Sequence, residues 1–149
     1  YQNFEEINGY GFYDAGRDKL EKVFAQVLGA EDALVRPQIM SGTNAIYLSL
    51  SGLLHYGDTM ICISGLPYDP LQEIIGIRGE SKNSLMANGV KYEQIDLVDS
   101  QFDVEKIKSR LQKSFVKLVE IQRSRGYSSR KSLSIAKIEK VIKLIEKLN

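Results

Sequence analysis

Three observations predict an α/β fold, a mostly parallel sheet with flanking helices. Helix-like and strand-like patterns alternate along the chain. One strand candidate, Thr59-Met60-Ile61-Cys62-Ile63-Ser64, is a nearly continuous apolar run, as a strand buried on both faces requires. The helix candidates carry apolar residues at spacings of three and four, the stripe with which a helix covers a sheet.

Residues 1 to 16 are polar and glycine-rich and form a separate irregular segment. Across residues 17 to 28, Leu20, Val23, Phe24, Val27 and Leu28 mark an amphipathic helix, and Gly29 stops it. Ala33-Leu34-Val35-Arg36 is a short strand candidate closed by Pro37. Ser41-Gly42-Thr43 then opens a helix over the apolar stretch 45 to 54. Tyr56-Gly57-Asp58 turns the chain into the apolar strand at 59 to 64. Pro67, Pro70, Gly76, Gly79 and Gly89 break up the next segment, although Leu71, Ile74 and Ile75 suit a short helix. Lys91-Tyr92-Glu93-Gln94-Ile95-Asp96-Leu97 is the third strand candidate, and Asp103 caps a helix with Val104, Ile107 and Leu111 on one face. Val116-Lys117-Leu118-Val119-Glu120-Ile121 is the last strand. Ser134 caps a final helix striped by Ile135, Ile138, Val141, Ile142, Ile145 and Leu148.

The totals narrow the function. With 149 residues, 43% hydrophobic and 26% charged, the chain has the balance of a globular domain with an adequate core. No apolar run reaches the ~18 to 20 residues of a membrane span, and the first residues lack a signal-peptide pattern. A cytoplasmic protein with no membrane partner is expected. A single cysteine, Cys62, and a single histidine, His55, leave neither an internal disulfide nor a His/Cys metal cluster. Cys62 sits inside an apolar strand and is expected to be buried and unreactive. Residues 106 to 149 hold 13 Lys/Arg against 3 Asp/Glu, and residues 1 to 105 hold 7 against 16. Most of the later lysines fall between apolar helix positions, so they read as a solvated face and no nucleic-acid partner is expected.

Ser41-Gly42-Thr43 at a helix start offers backbone N–H groups, the positive end of the helix dipole, a glycine for close approach and two hydroxyls, which together suit a phosphate. The same residues also make an ordinary helix cap, and the stretch alone does not decide between the two. It is neither a Walker motif nor Gly-x-Gly-x-x-Gly.

The surrounding blocks are more specific. Tyr10-Gly11-Phe12-Tyr13-Asp14-Ala15-Gly16-Arg17-Asp18, the run from Ala33 through Pro37 to Thr43, Gly65-Leu66-Pro67-Tyr68-Asp69, Ile75-Gly76-Ile77-Arg78-Gly79-Glu80 and Ile121-Gln122-Arg123-Ser124-Arg125-Gly126-Tyr127 resemble, in this order, the methionine gamma-lyase family, also called aluminium resistance proteins. The resemblance implies a fold-type I pyridoxal 5'-phosphate (PLP) enzyme of sulfur amino-acid metabolism, with residues 17 to 149 the first part of its large domain. In such enzymes the cofactor does the chemistry and the protein holds and tunes it.

Site roles follow from that resemblance. Ser41, Gly42 and Thr43 match the stretch that binds the PLP phosphate. Tyr68 matches the aromatic that stacks on the pyridine ring, and on the residues alone it is equally a loop aromatic packed on the core. Gln122, Arg123, Ser124, Arg125 and Tyr127 match a loop suited to the cofactor ring or a substrate carboxylate, and a solvated basic loop is the alternative. Tyr10, Tyr13 and Arg17 resemble the segment that reaches a neighbouring subunit's cofactor phosphate, and Arg17 is equally an exposed first-turn residue. The resemblance implies a homo-oligomer, dimer or tetramer, with an amino-acid substrate.

It also implies that the Schiff-base lysine and the acid that pairs with the pyridinium nitrogen lie beyond Asn149, leaving no catalytic residue here. A first residue that is not Met, and a last helix with no strand after it, lead to the expectation of a truncated chain. The function expected is therefore an inactive fragment of a PLP-dependent carbon–sulfur lyase, of methionine gamma-lyase or cystathionine lyase type. The alternative is a non-catalytic α/β module that binds phosphate or a small ligand.

Overall fold

A computed structural model describes residues 14–148. They fall into two compact units, one within Tyr1–Ala45 and the other within Ile46–Asn149. Tyr10 and Tyr13 lie outside the described residues.

In the first unit, α1 (Ala15–Leu28) starts two residues earlier than the apolar pattern suggests, because Asp14 caps it by accepting from the Arg17 backbone N–H at 3.0 Å. Gly29, at φ 67°, ends it as expected, in the left-handed conformation that a glycine adopts without strain. Of the residues in α1 only Ala25 is buried, and Val27 and Leu28 stand 77% and 73% exposed. The strand expected at residues 33 to 36 does not form. The Glu21 carboxylate accepts from the Val35 backbone N–H at 2.9 Å and pairs with the Arg36 guanidinium at 2.9 Å, so a side chain takes the donor that a strand would give to its neighbour.

Helix α2 (Gly42–Leu53) begins where Ser41-Gly42-Thr43 predicts, with the Ser41 hydroxyl accepting from the Asn44 N–H at 3.1 Å. The remaining elements are β1 (Thr59–Cys62), α3 (Asp69–Ile75), β2 (Lys91–Gln94), α4 (Val104–Lys113), β3 (Leu118–Glu120) and α5 (Ile135–Glu146). The strands are shorter than their apolar runs and form one sheet in the order β2-β1-β3, parallel at both pairings.

The centre of this sheet is β1, and its alternation divides the core in two. Met60 and Cys62 point into a cluster with Leu50, Leu54, Leu71 and Ile75, from α2, its end and α3. Ile61 and Ile63 point the other way, with Ile107 of α4 and Val141 of α5. The side chains of Met60, Ile61, Cys62 and Ile63 are at most 1% exposed. Each large apolar side chain so buried contributes roughly 1.5–3 kcal/mol. The irregular stretch after α3 folds back on that helix, with Leu85 and Met86 donating to the carbonyls of Ile74 and Ile75 at 2.9 Å. Two caps match their expected residues, Asp103 on α4 and Ser134 on α5. No described helix is long and apolar enough to cross a membrane.

Candidate functional site

All three parallel strands lead into one cleft. Ser64, Asp96 and Gln122 each stand two residues beyond the last residue of β1, β2 and β3, and Cys62, Gln94 and Glu120 are register partners, so the three residues lie at the same level of the sheet. They line a cleft of about 700 Å³ together with Tyr68, Arg125 and Tyr127. In open α/β sheets ligands bind beyond the carboxyl ends of the strands, and this cleft occupies that position. A second cleft of about 730 Å³ is lined by residues that include Tyr68, Leu71, Glu120, Arg123 and Ser124. Tyr68, Gln122 and Ser124 border both.

Gln122 is the joint that holds this region. Its backbone N–H donates to the Ser64 hydroxyl at 2.8 Å, its Oε1 accepts from the Tyr68 backbone N–H at 2.8 Å, and its Nε2 donates to the Ser124 carbonyl at 3.0 Å. Arg130 completes the frame by donating to the carbonyls of Gln122 at 3.0 Å, Ser124 at 2.5 Å and Lys131 at 3.1 Å. Tyr68 in turn caps α3 in extended conformation, with Pro70 in the first turn, and its ring packs on the apolar cluster around Cys62. Gly65 enters the loop at φ 87°, where a β-carbon would stand 3.6 Å from the Asp96 carboxylate.

Of the residues expected at the site, Tyr68, Gln122, Ser124, Arg125 and Tyr127 come together at the first cleft, and Arg123 faces the second. Gln122 is a strut, since its Oε1 is engaged by the Tyr68 backbone and its Nε2 by the Ser124 carbonyl of its own loop. The Arg123 and Arg125 guanidinium groups are exposed and have no hydrogen-bond or ion-pair partner among the described residues. Tyr127 is fully exposed. Ser41, Gly42 and Thr43 open α2, with no acidic residue in its first turn and nothing within 4 Å of the place where a Gly42 β-carbon would be. Arg17 is engaged by Asp14, Nε to Oδ2, at 2.8 Å.

Four residues of this region carry no site role expected from the sequence: Ser64, Asp96, Glu120 and Arg130. Ser64 and Asp96 fall inside runs read as strand, and the signal that marks them is their place at the polar end of an apolar run. The sequence places Glu120 within the last strand. Burial pushes its carboxyl up, an effect offset in part by a hydrogen bond from Cys62 and by the charge of Arg130. Its Oε2 has no hydrogen-bond partner. Burial and the neighbouring Glu120 push the Cys62 thiol up, so the cysteine is a protonated core residue, as the sequence suggests. Tyr92 is raised as well, by burial first and then by Cys62. No lysine lines either cleft.

Known proteins are similar to this chain in sequence and architecture over 99% of its length. The family model for methionine gamma-lyase matches residues 1–149. A solved structure described as a "putative cystathionine beta-lyase involved in aluminum resistance" from Clostridium acetobutylicum is 45% identical with a TM-score of 0.94, covering 99% of this chain and 36% of that one. A carbon-sulfur lyase involved in aluminum resistance from Clostridium novyi NT is 38% identical with a TM-score of 0.91, over 99% and 35% of the two chains. The uncharacterized protein YnbB of Bacillus subtilis (strain 168) is 42% identical over 149 residues, 99% of this chain and 35% of that protein. The chain thus spans little more than a third of the length of the relatives it matches. With five resembling blocks, a parallel sheet opening on a cleft at its carboxyl ends, and a family match from the first residue to the last, the chain belongs to the methionine gamma-lyase family.

Proposed function

We propose that the protein is a PLP-dependent carbon–sulfur lyase acting on sulfur amino acids as a homo-oligomer, and that the residues of this chain bind and orient cofactor and substrate. The observation that carries this reading is the cleft at the ends of three parallel strands, where an aromatic side chain and an unpartnered arginine stand on a rigidly hydrogen-bonded loop. The names borne by the Clostridium relatives, a cystathionine beta-lyase and a carbon-sulfur lyase, point to the same substrate class.

The residues present fit the cofactor's parts. A phosphate needs an open, uncharged helix start, and α2 supplies one: the Ser41 oxygen already accepts from Asn44, which leaves its O–H to donate, and Gly42 faces open space. A pyridine ring needs a flat, fixed, apolar partner, and Tyr68 is held by its backbone while its ring rests on the core. PLP, when bound, supplies an electron sink for the pair left at Cα when the substrate loses its α-proton. Arg123 and Arg125 would bind carboxylate through charge-assisted hydrogen bonds and set the direction of the substrate. The loop frame would keep both side chains turned toward ligand, and proton transfer at Cα is assigned to none of the described residues.

In the overall reaction a thioether C–S bond breaks, sulfur leaves as a thiol, and the remaining carbons take up water and release ammonia to give a 2-oxo acid. Cleavage of cystathionine on its β side would yield homocysteine, pyruvate and ammonia, and γ cleavage would yield cysteine, 2-oxobutyrate and ammonia. The test is to purify the intact protein, measure the visible absorption of bound PLP, and identify the thiol and oxo acid released from cystathionine and from methionine. A protein that binds phosphate or PLP without releasing either product is the non-catalytic module; one that binds neither refutes both readings.

A further inference from the structure

We infer that Gln122 is a positioning residue that sets the Tyr68 ring as the cofactor's stacking platform, an inference that rests on the PLP reading above. Four bonds meet at this one residue. Its N–H is tied to the end of β1 through Ser64, its carbonyl to Arg130, its Nε2 to Ser124 and its Oε1 to the Tyr68 N–H. The last bond spans 54 positions of sequence and ties the loop after β3 to the residue that caps α3. A backbone N–H at a helix start has no intrahelical acceptor. Loss of Gln122 Oε1 would remove the bond that ties the Tyr68 main chain to the loop after β3, and the ring attached to the same α-carbon would shift with it. The cleft wall shared by the two cavities runs through Tyr68, Gln122 and Ser124, so a shift of this wall changes both.

The test is a double-mutant cycle in the intact protein, read as PLP affinity and as the visible circular dichroism of bound PLP, with thermal unfolding as the control for folding. Gln122→Met keeps length and loses both side-chain bonds. It should weaken PLP by roughly tenfold, the scale of one or two hydrogen bonds, and alter the dichroism. In a Tyr68→Ala background, where no ring remains to be placed, the same change should weaken PLP by less than about twofold. Equal losses in both backgrounds, or no loss and an unchanged dichroism in the first, would overturn the inference and leave the PLP reading standing. A Tyr68→Ala protein that binds PLP as the native one does removes the stacking role and this inference with it. Should Gln122→Met fail to fold, Gln122→Glu decides: it keeps the acceptor for the Tyr68 N–H, so it should retain affinity within about threefold and the native dichroism. A tenfold loss in the glutamate variant would count against the tie to Tyr68.

Discussion

Cys62 and Glu120 are register partners on adjacent parallel strands, and one Glu120 carboxylate oxygen, Oε2, is buried without a hydrogen bond. Two ionisable groups so close together and so far withdrawn from water do not both carry charge at modest cost. Burial favours the protonated carboxyl, and the carboxyl in turn favours the protonated thiol.

The first prediction is a pH dependence with a definite sign. Folded Glu120 keeps its proton to a higher pH than the unfolded chain does. Its contribution is therefore fully present below the ordinary glutamate range and is lost as pH rises through the raised value. Glu120→Gln mimics the protonated form and should remove this part of the slope. Urea midpoints of the two proteins should agree in acid and separate in favour of the variant toward neutral pH; parallel curves would contradict the assignment. Glu93 has the opposite sign: a hydrogen bond from Arg110 lowers its carboxyl, so that contribution is lost as pH falls. The pair lies partly buried at the surface, and its worth is about 0–1 kcal/mol.

Gly42 gives a clean probe of the helix start. Nothing lies within 4 Å of its missing β-carbon, so Gly42→Val should fold normally. The added methyl groups would fill the space in which a phosphate would sit. Titration of the intact protein with inorganic phosphate and with PLP should show affinity lowered about tenfold or more for both. Unchanged affinity would remove the phosphate role from this position.

Gly76 is a stability site. It ends α3 at φ 101°, and a β-carbon there would lie 2.5 Å from the Ser84 Oγ. Gly76→Ala should cost roughly 2 kcal/mol, since strain and overlap add. Combining it with Ser84→Gly should recover the overlap and leave the strain, a partial rescue visible in thermal unfolding.

Arg123→Gln and Arg125→Gln should leave stability within about 0.5 kcal/mol, because neither guanidinium has a partner among the described residues. Each should weaken a carboxylate ligand by about 1.5–3 kcal/mol in the cleft it lines. The KM for the amino-acid substrate and the retention of PLP, measured for each variant, would assign the two clefts separately.

Most of the architecture was legible because it rests on local chemistry. The apolar run at Thr59 to Cys62, the caps Asp103 and Ser134 and the stop at Gly29 each act within a few residues. The strand expected at 33 to 36 failed for the converse reason: the competing acceptor, Glu21, stands 14 positions earlier. The same limit holds at the site. Tyr68 and the loop from Gln122 to Tyr127 were visible as residues with suitable chemistry. That Gln122 spends its amide on Tyr68 and Ser124, and that Arg130 turns inward to three carbonyls, depends on contacts no local pattern encodes.

The Arg130 frame grips peptide carbonyls at 122, 124 and 131 and no side chain of the loop it encloses. Positions 123, 125 and 127 are therefore interchangeable without cost to the scaffold. Substitution of those three residues would change ligand preference while the backbone path stays the same, which makes this short loop the natural place to graft new selectivity.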